Sequence, residues 1–326
     1  MTPAITVGIM TRNYGRYIRE AIDSVLAQSR MDWELIISDD ASTDDTPGIV
    51  QPYLSDPRIR YIRHEHNLGQ ADNWGFLLAQ GAAPVVTVLH ADDYWLPGTL
   101  DTALAAFEAD PDLDLLYGNW RRLVNGTLEP HPYIQESPHG MTGQQEYCHQ
   151  IGRYTWLPSA TFLSRRVTQA AGRPNPALQM YVDTDYFLRA ALHSRRTRAL
   201  AEPLTVYRVH QSNATSAGTS NDRLHQEKEM LPVICEAALA DFPALRPQIK
   251  IMRRDMARRI FSAGVSEAVG GRFPSGRALM ARARRLDANI FHDPKVAADY
   301  LLAACGPPLL PLMRRLHPGR SPLEVS

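Results

Sequence analysis

Residues 84–93 read Pro84-Val85-Val86-Thr87-Val88-Leu89-His90-Ala91-Asp92-Asp93. A short apolar run rich in β-branched residues, stopping abruptly on two adjacent carboxylates, reads as a fully buried strand that ends at a polar edge. The same pattern occurs three times upstream. Residues 4–10 run into Thr11-Arg12-Asn13, residues 33–38 into Asp39-Asp40, and residues 59–62 are followed by Asn67. Between the runs lie helix-length stretches. Residues 14–28 place Tyr17, Ile18, Ala21, Ile22, Val25 and Leu26 on one helical face, and residues 70–80 read as a further helix. Strands alternating with helices predict a doubly wound, mostly parallel α/β sheet. Such sheets bind ligands beyond the carboxyl ends of their strands, so the polar residues ending the four runs should converge on one crevice.

Downstream, the pattern predicts a helix at 102–108, a strand at 113–119, a Pro/Gly/His-rich loop over 125–143, a strand at 159–163, a helix at 183–192 and a strand at 203–207. From residue 221 it is helical, punctuated by Pro232, Pro243, Pro247, Pro274 and Pro294. This divides the 326 residues into an α/β domain, 1–220, and a helical C-terminal region, 221–326. Thirty-five basic side chains balance 35 acidic ones, which gives no sign of a nucleic-acid partner. The balance is uneven: the ten lysines and arginines from Lys250 to Arg285 face only Asp255 and Glu267. Cys148, Cys235 and Cys305 are too dispersed for a disulfide framework or a CxxC metal site. The first residues carry no basic segment followed by a long apolar one, and the nearest approach to a membrane span, 296–313, is broken by Asp299, Pro307, Pro308 and Pro311. The expectation is a cytoplasmic protein, in which the sequons at Asn125 and Asn213 carry no glycan.

Four segments suit chemistry. In residues 39–46, Asp40 can accept hydrogen bonds from a nucleobase or ribose, while Ser42, Asp44 and Asp45 suit a helix N-cap and an acidic first turn. Asp92 and Asp93, at the edge of an apolar strand, are costly unless a cation neutralises them, and Mg²⁺ or Mn²⁺ takes such oxygen ligands together with substrate phosphates. Asp183 and Asp185 open an amphipathic helix, where either suits an N-cap; Arg189 also stands four residues beyond Asp185, the spacing of an intrahelical ion pair. His210, after a strand, suits either a metal ion or a diphosphate.

In order, the blocks VGIMTRNYGRYIREAIDSVLAQS, ELIISDDASTDDT, HNLGQADNWGFLLAQG, VLHADDYWLPGTL, WLPSATFLSRR, YVDTDYFLR and VYRVHQSNATS resemble the inverting glycosyltransferases of family 2, over roughly residues 4–216. The resemblance implies the GT-A fold, a nucleoside-diphosphate sugar donor of UDP or dTDP type, and a Mn²⁺ or Mg²⁺ cofactor. Thr11, Asn13, Asp39 and Asp40 would then lie at the nucleoside, with Asn67 and Gly69 forming the family's N-x-G block near the donor. Asp92 would serve donor and metal, Asp93 and His210 the metal, and Asp183 would be the catalytic base. Three positions depart from the family pattern. His90 replaces the first carboxylate of D-x-D-D, Val182 replaces the acidic neighbour of Asp183, and Asp72 stands where an arginine often precedes Asn73.

The rival readings are a sugar nucleotidyltransferase and a non-catalytic relative that binds sugar nucleotides. The first would need a glycine-rich phosphate loop, whereas residues 11–15 contain one glycine; GxGxxG and GxxxxGK[ST] are also absent. The acceptor, carbohydrate, lipid-linked or small-molecule, should be chosen by residues 125–156 and the helical region. There Met252, Met256 and Ile260 form an apolar stripe flanked by Arg254 and Arg258, suited to packing on the catalytic domain, to a homodimer, or to peripheral contact with the inner face of an anionic membrane.

Overall fold

The computed structural model describes residues 2–133, 139–150, 155–178, 181–210, 213, 234 and 238–317. The chain forms two compact units, Met1–Ala217 and Gly218–Ser326.

The first unit is built on one mixed sheet. Four parallel strands, β1 (Ile5–Thr11), β2 (Trp33–Asp39), β3 (Ile59–Arg63) and β4 (Val85–His90), lie in the order β3-β2-β1-β4. Every residue of β1 but Met10 is buried, because helices cover both faces of the sheet, so the strand reads as a continuous apolar run rather than an alternation. On one face, Ile18, Ile22 and Val25 of α1 (Gly15–Leu26) join Ile5, Val7, Ile9, Leu35 and Ile37 in the core, all without exposed surface. Each such side chain contributes roughly 1.5–3 kcal/mol of burial. On the other face, α3 (Gln70–Ala79) comes so close that a Cβ on Gly8 would stand 1.8 Å from Leu77 Cδ2. A short α2 (Thr46–Val50) separates β2 from β3.

Beyond β4 the sheet becomes mixed. After β5 (Tyr94–Trp95) and α4 (Thr99–Ala109), β6 (Leu113–Val124) extends past the predicted strand, and the predicted loop contains β7 (Thr127–Leu128) and β8 (His139–Met141) before α5 (Gly143–Gln150). β9 (Thr161–Ser164) inserts antiparallel between β4 and β6, followed by α6 (Arg165–Ala171) and α7 (Val182–His193). β10 (Arg196–Val209) runs parallel to β6 and starts well before the predicted residue 203. Pro203 lies inside it at a register shift, where the ladder is interrupted and a missing N–H costs little.

One topological step positions the site. From β4 the chain passes through Asp92-Asp93 into β5, which pairs antiparallel with Thr205 and Val206 of β10. The segment ending at His210 is thereby brought beside Asp92 and Asp93, over a hundred residues away in sequence.

A buried ion cluster pins the far end of the sheet. Asp114, with no exposed side-chain surface, accepts from Ser164 Oγ at 2.6 Å, Arg195 N at 2.9 Å and Arg195 Nε at 3.0 Å, and pairs with Arg166. Burial pushes this carboxyl upward, and the hydrogen bonds from Arg195, Arg166 and Ser164 more than reverse it, to about 2 from an ordinary 3.8. A depressed carboxylate stabilises the fold above its unfolded value and loses that contribution as pH falls through its folded value. The loss should therefore run from about pH 4 to about pH 2. Because both arginines are nearly half exposed, the contribution is about 1–2 kcal/mol. Urea titrations of wild type and Asp114→Asn at pH 7 and pH 3 check this: the gap between them should narrow at pH 3, and a constant gap contradicts it.

The second unit is helical where it is described; the helical expectation for residues 221–233 lies outside the described residues. α8 (Arg246–Val269) and α9 (Phe273–Leu286) form a hairpin, followed by α10 (Pro294–Cys305) and α11 (Leu310–Leu316). Met252, Met256 and Ile260 are buried as their spacing predicts. α8 and α9 touch through glycines: a Cβ on Gly264 would meet Gly276 O at 2.8 Å, and one on Gly276 would meet Gly264 O at 2.7 Å. Glu267 is buried and paired with Arg272 across the turn. Among the described residues, no helix is long and apolar enough to cross a membrane.

Candidate active site

β1 and β2 end side by side, with Thr11 opposite Asp39. Asp39 is fully buried and spends both oxygens on the protein, accepting Ser42 N at 2.8 Å and the Tyr61 hydroxyl. Asp40 N donates to Thr11 O at 2.9 Å. The Asp40 carboxylate closes the third strand-end loop, with Oδ1 accepting Leu68 N at 2.5 Å and Oδ2 accepting Gly69 N at 3.1 Å. Gly69 has φ 87°, in the left-handed range that glycine tolerates, at the start of α3. Asn67 is exposed, and its Oδ1 also accepts Gly69 N, at 3.1 Å. Thr11, Asp39, Asp40, Asn67 and Gly69 therefore meet at one edge, and Thr11 Oγ1 is buried there without a hydrogen-bond partner among the described residues.

Asn13, with φ 58°, ties the first loop to the second. Its N–H donates to Ser42 Oγ at 2.9 Å, and its Oδ1 accepts Thr43 N at 2.7 Å. The expected N-cap role of Ser42 is corrected here: α2 begins only at Thr46, and the Ser42 hydroxyl serves Asn13 instead. The expected acidic first turn is corrected too: Asp45 is the N-cap residue of α2 but makes no side-chain cap bond, and Asp44, just before it, accepts Gly15 N of α1 at 2.9 Å with Oδ2 and Thr46 N at 3.1 Å with Oδ1.

At the end of β4, His90, Asp92 and Asp93 each bring one ligand-type atom to within 4.8 Å of the others. Asp93 is 1% exposed; Oδ2 accepts Ser159 Oγ at 2.6 Å and Oδ1 accepts Arg208 N at 3.1 Å. Burial and the neighbouring Asp92 charge push its carboxyl well above the usual range. Asp92 Oδ2 lies 3.1 Å from His210 Nε2 and 3.4 Å from Asn213 Nδ2. Arg208 donates from Nε to Asp92 O at 3.0 Å and pairs with Glu20. The His210 ring stacks on Tyr17 at 4.7 Å, with Tyr14 edge-on at 6.0 Å. Burial and Asp92 raise the Tyr14 hydroxyl pKa.

The donor set fits a divalent cation. Two adjacent carboxylates share an enclosed pocket, and the nearby Arg208 charge does not offset the burial and Asp92 repulsion that raise the Asp93 carboxyl. His90 Nε2, in addition, is buried with no hydrogen-bond partner among the described residues. His210 meets this group through Asp92.

Asp183 stands apart from these loops in sequence, in the first turn of α7. It is part-exposed, and its Oδ1 accepts Thr184 N at 2.8 Å. Asp185, by contrast, is buried and paired with Arg189 at 2.8 Å, the intrahelical pair its spacing suggested. α7 is anchored to α3 through Trp74, whose ring lies 5.1 Å from Tyr186 and 5.6 Å from Phe187.

Sequence reasoning missed Ser159, Asn213, Tyr14, Tyr17 and the gathering of His90 with Asp92 and Asp93. Only the sheet topology brings Ser159 and Asn213 to the aspartates; their spacing in the chain carries no signal.

Comparison with known proteins agrees with this arrangement. Residues 6–166 match the family described as "Glycosyl transferase family 2". An uncharacterized glycosyltransferase of Nostoc sp., alr2836, is 36% identical over 220 residues, which cover 64% of this chain and 66% of that protein. The chain spans at most about two thirds of the length of the curated relatives it matches. Among solved structures, residues 1–349 of Staphylococcus aureus TarS in complex with UDP superpose with a TM-score of 0.63 at 20% identity, covering 93% of this chain and 90% of that fragment. The mannosyltransferase PcManGT from Pyrobaculum calidifontis, in complex with GDP-Man and Mn²⁺, gives 0.55 at 16% identity, covering 96% and 84%. The sheet order, the strand-end crevice and the family match together place this chain in glycosyltransferase family 2, with the GT-A fold.

Proposed function

We propose that the chain is an inverting glycosyltransferase that moves a sugar from a nucleoside-diphosphate donor to an acceptor hydroxyl, assisted by Mn²⁺ or Mg²⁺. The observation that carries this reading is the pair of enclosed carboxylates, Asp92 and Asp93, at the strand edge of a family 2 domain. A donor of UDP or dTDP type would place its nucleoside against the Thr11, Asn13 and Asp40 loops, with Asn67 and Gly69 at their rim. Asp39, with both oxygens already engaged, supports that floor. Similarity to structures holding UDP, or GDP-Man with Mn²⁺, supports the donor class.

Asp92, Asp93 and His210 would hold the ion, which offsets charge developing on the departing diphosphate. Asn213 and Arg208 fix Asp92, while Ser159 and the Arg208 N–H fix Asp93, so both carboxylates are positioned before a donor arrives. Inversion needs a base on the opposite face of the sugar, and Asp183 is our candidate. Its part-exposed carboxylate would take the acceptor proton as the acceptor oxygen bonds to the anomeric carbon.

A thermal-shift screen of nucleotide sugars with and without Mn²⁺ tests the donor and the ion together. One donor class should raise the Tm only when metal is present. Equal stabilisation in chelator contradicts the metal-assisted reading, and stabilisation without any turnover favours a non-catalytic sugar-nucleotide-binding protein.

A further inference from the structure

His90 reads in the sequence as a lost carboxylate; the geometry gives it a function of its own. One ring nitrogen lies within 4.8 Å of an oxygen of Asp92 and an oxygen of Asp93. Its Nε2 is buried without a hydrogen-bond partner among the described residues. A buried polar atom left unsatisfied costs about 1–3 kcal/mol, so this ring is poorly explained as core packing. The backbone is held as firmly as the carboxylates: His90 N donates to Ser159 Oγ at 3.1 Å, the same hydroxyl that donates to Asp93 Oδ2 at 2.6 Å. One serine thus sets the relative position of the imidazole-bearing residue and the more deeply buried aspartate.

We propose that His90 is a nitrogen ligand of the divalent cation held by Asp92 and Asp93, and that it biases the site toward Mn²⁺ and other transition ions over Mg²⁺. The inference rests on the metal-assisted reading above. Its chemical basis is general. Mg²⁺ prefers oxygen ligands and retains its waters, whereas imidazole suits first-row transition ions. Exchanging one carboxylate for an imidazole also removes a negative charge from a pocket that already encloses two, which lessens the repulsion in the absence of an ion.

The test uses the full chain with UDP as the nucleotide and Mn²⁺ or Mg²⁺ as probes. Competition calorimetry should find Mn²⁺ bound in preference to Mg²⁺ by wild type, and the preference should shrink about tenfold or more in His90→Asp. Pulsed electron paramagnetic resonance of bound Mn²⁺ should show ¹⁴N coupling that persists in His210→Gln and vanishes when His90→Gln is added. His90→Gln keeps a neutral polar side chain, so it serves where a third enclosed carboxylate disturbs folding. Loss of all ¹⁴N coupling in His210→Gln alone, or an unchanged Mn²⁺/Mg²⁺ ratio in His90→Asp, overturns the assignment of His90. Failure of wild type to bind Mn²⁺ in the presence of UDP overturns the metal-assisted reading itself, which is a distinct outcome.

Discussion

Asp93→Ala is expected to weaken Mn²⁺-dependent donor binding by at least about 100-fold while the protein stays folded. Changing a mere outer-shell partner of a metal site costs about 10–100-fold in affinity, and removing a ligand should cost more. Folding should survive because Asp93 is not a stabilising charge. It is buried beside Asp92, and both burial and that neighbour push its carboxyl upward. Two hydrogen bonds, from Ser159 Oγ and Arg208 N, are the native interactions lost. Asp93→Asn retains an acceptor for one of them and removes the charge, so its Tm in chelator should not fall below that of wild type. Calorimetric titration of donor with Mn²⁺ reads the first effect and thermal unfolding in chelator the second. Unchanged donor affinity in Asp93→Ala would remove this carboxylate from the ion site.

Asp183→Asn should lower turnover by about 10²–10⁴-fold and leave donor affinity intact, the pattern for a positioned general base. The substitution is nearly isosteric and keeps an acceptor for Thr184 N, so α7 should retain its first turn. The effect then lies on the chemistry and not on the fold. Asp185→Asn makes the contrast: it breaks the buried pair with Arg189, and its cost should appear in stability. If calorimetry finds donor binding lost in Asp183→Asn, Asp183 belongs to the donor site and the base must be sought elsewhere.

What could be read from the sequence follows from burial. β1, β2 and β4 are covered on both faces, so each is a nearly unbroken apolar run that ends where the crevice begins. Thr11, Asp39, Asp40 and Asn67 can be picked out because each ends or follows an apolar run, whereas Gly69 is legible only through the family's N-x-G block. β10 was only half visible, since Pro203 reads as the start of a strand and in fact sits at an irregularity within one. Ser42 looks like a helix cap because a hydroxyl before an acidic turn is a local signature, whereas its partner Asn13 lies 29 residues away. His90 reads as a deficit because a pattern compares residue types, while an ion responds to the distance between donor atoms. Ser159 and Asn213 stand 66 and 121 residues from the aspartates they hold, beyond what spacing can reveal.

The central claim, sugar transfer from a nucleotide donor at the Asp92–Asp93 site, is tested most directly by nucleoside diphosphate release from a panel of nucleotide sugars, with Mn²⁺ or with chelator. Release is expected from one donor class with Mn²⁺, and it should be lost in chelator and in Asp93→Ala. Release that is indifferent to both chelator and Asp93, or no release from any donor with Mn²⁺ present, would contradict it.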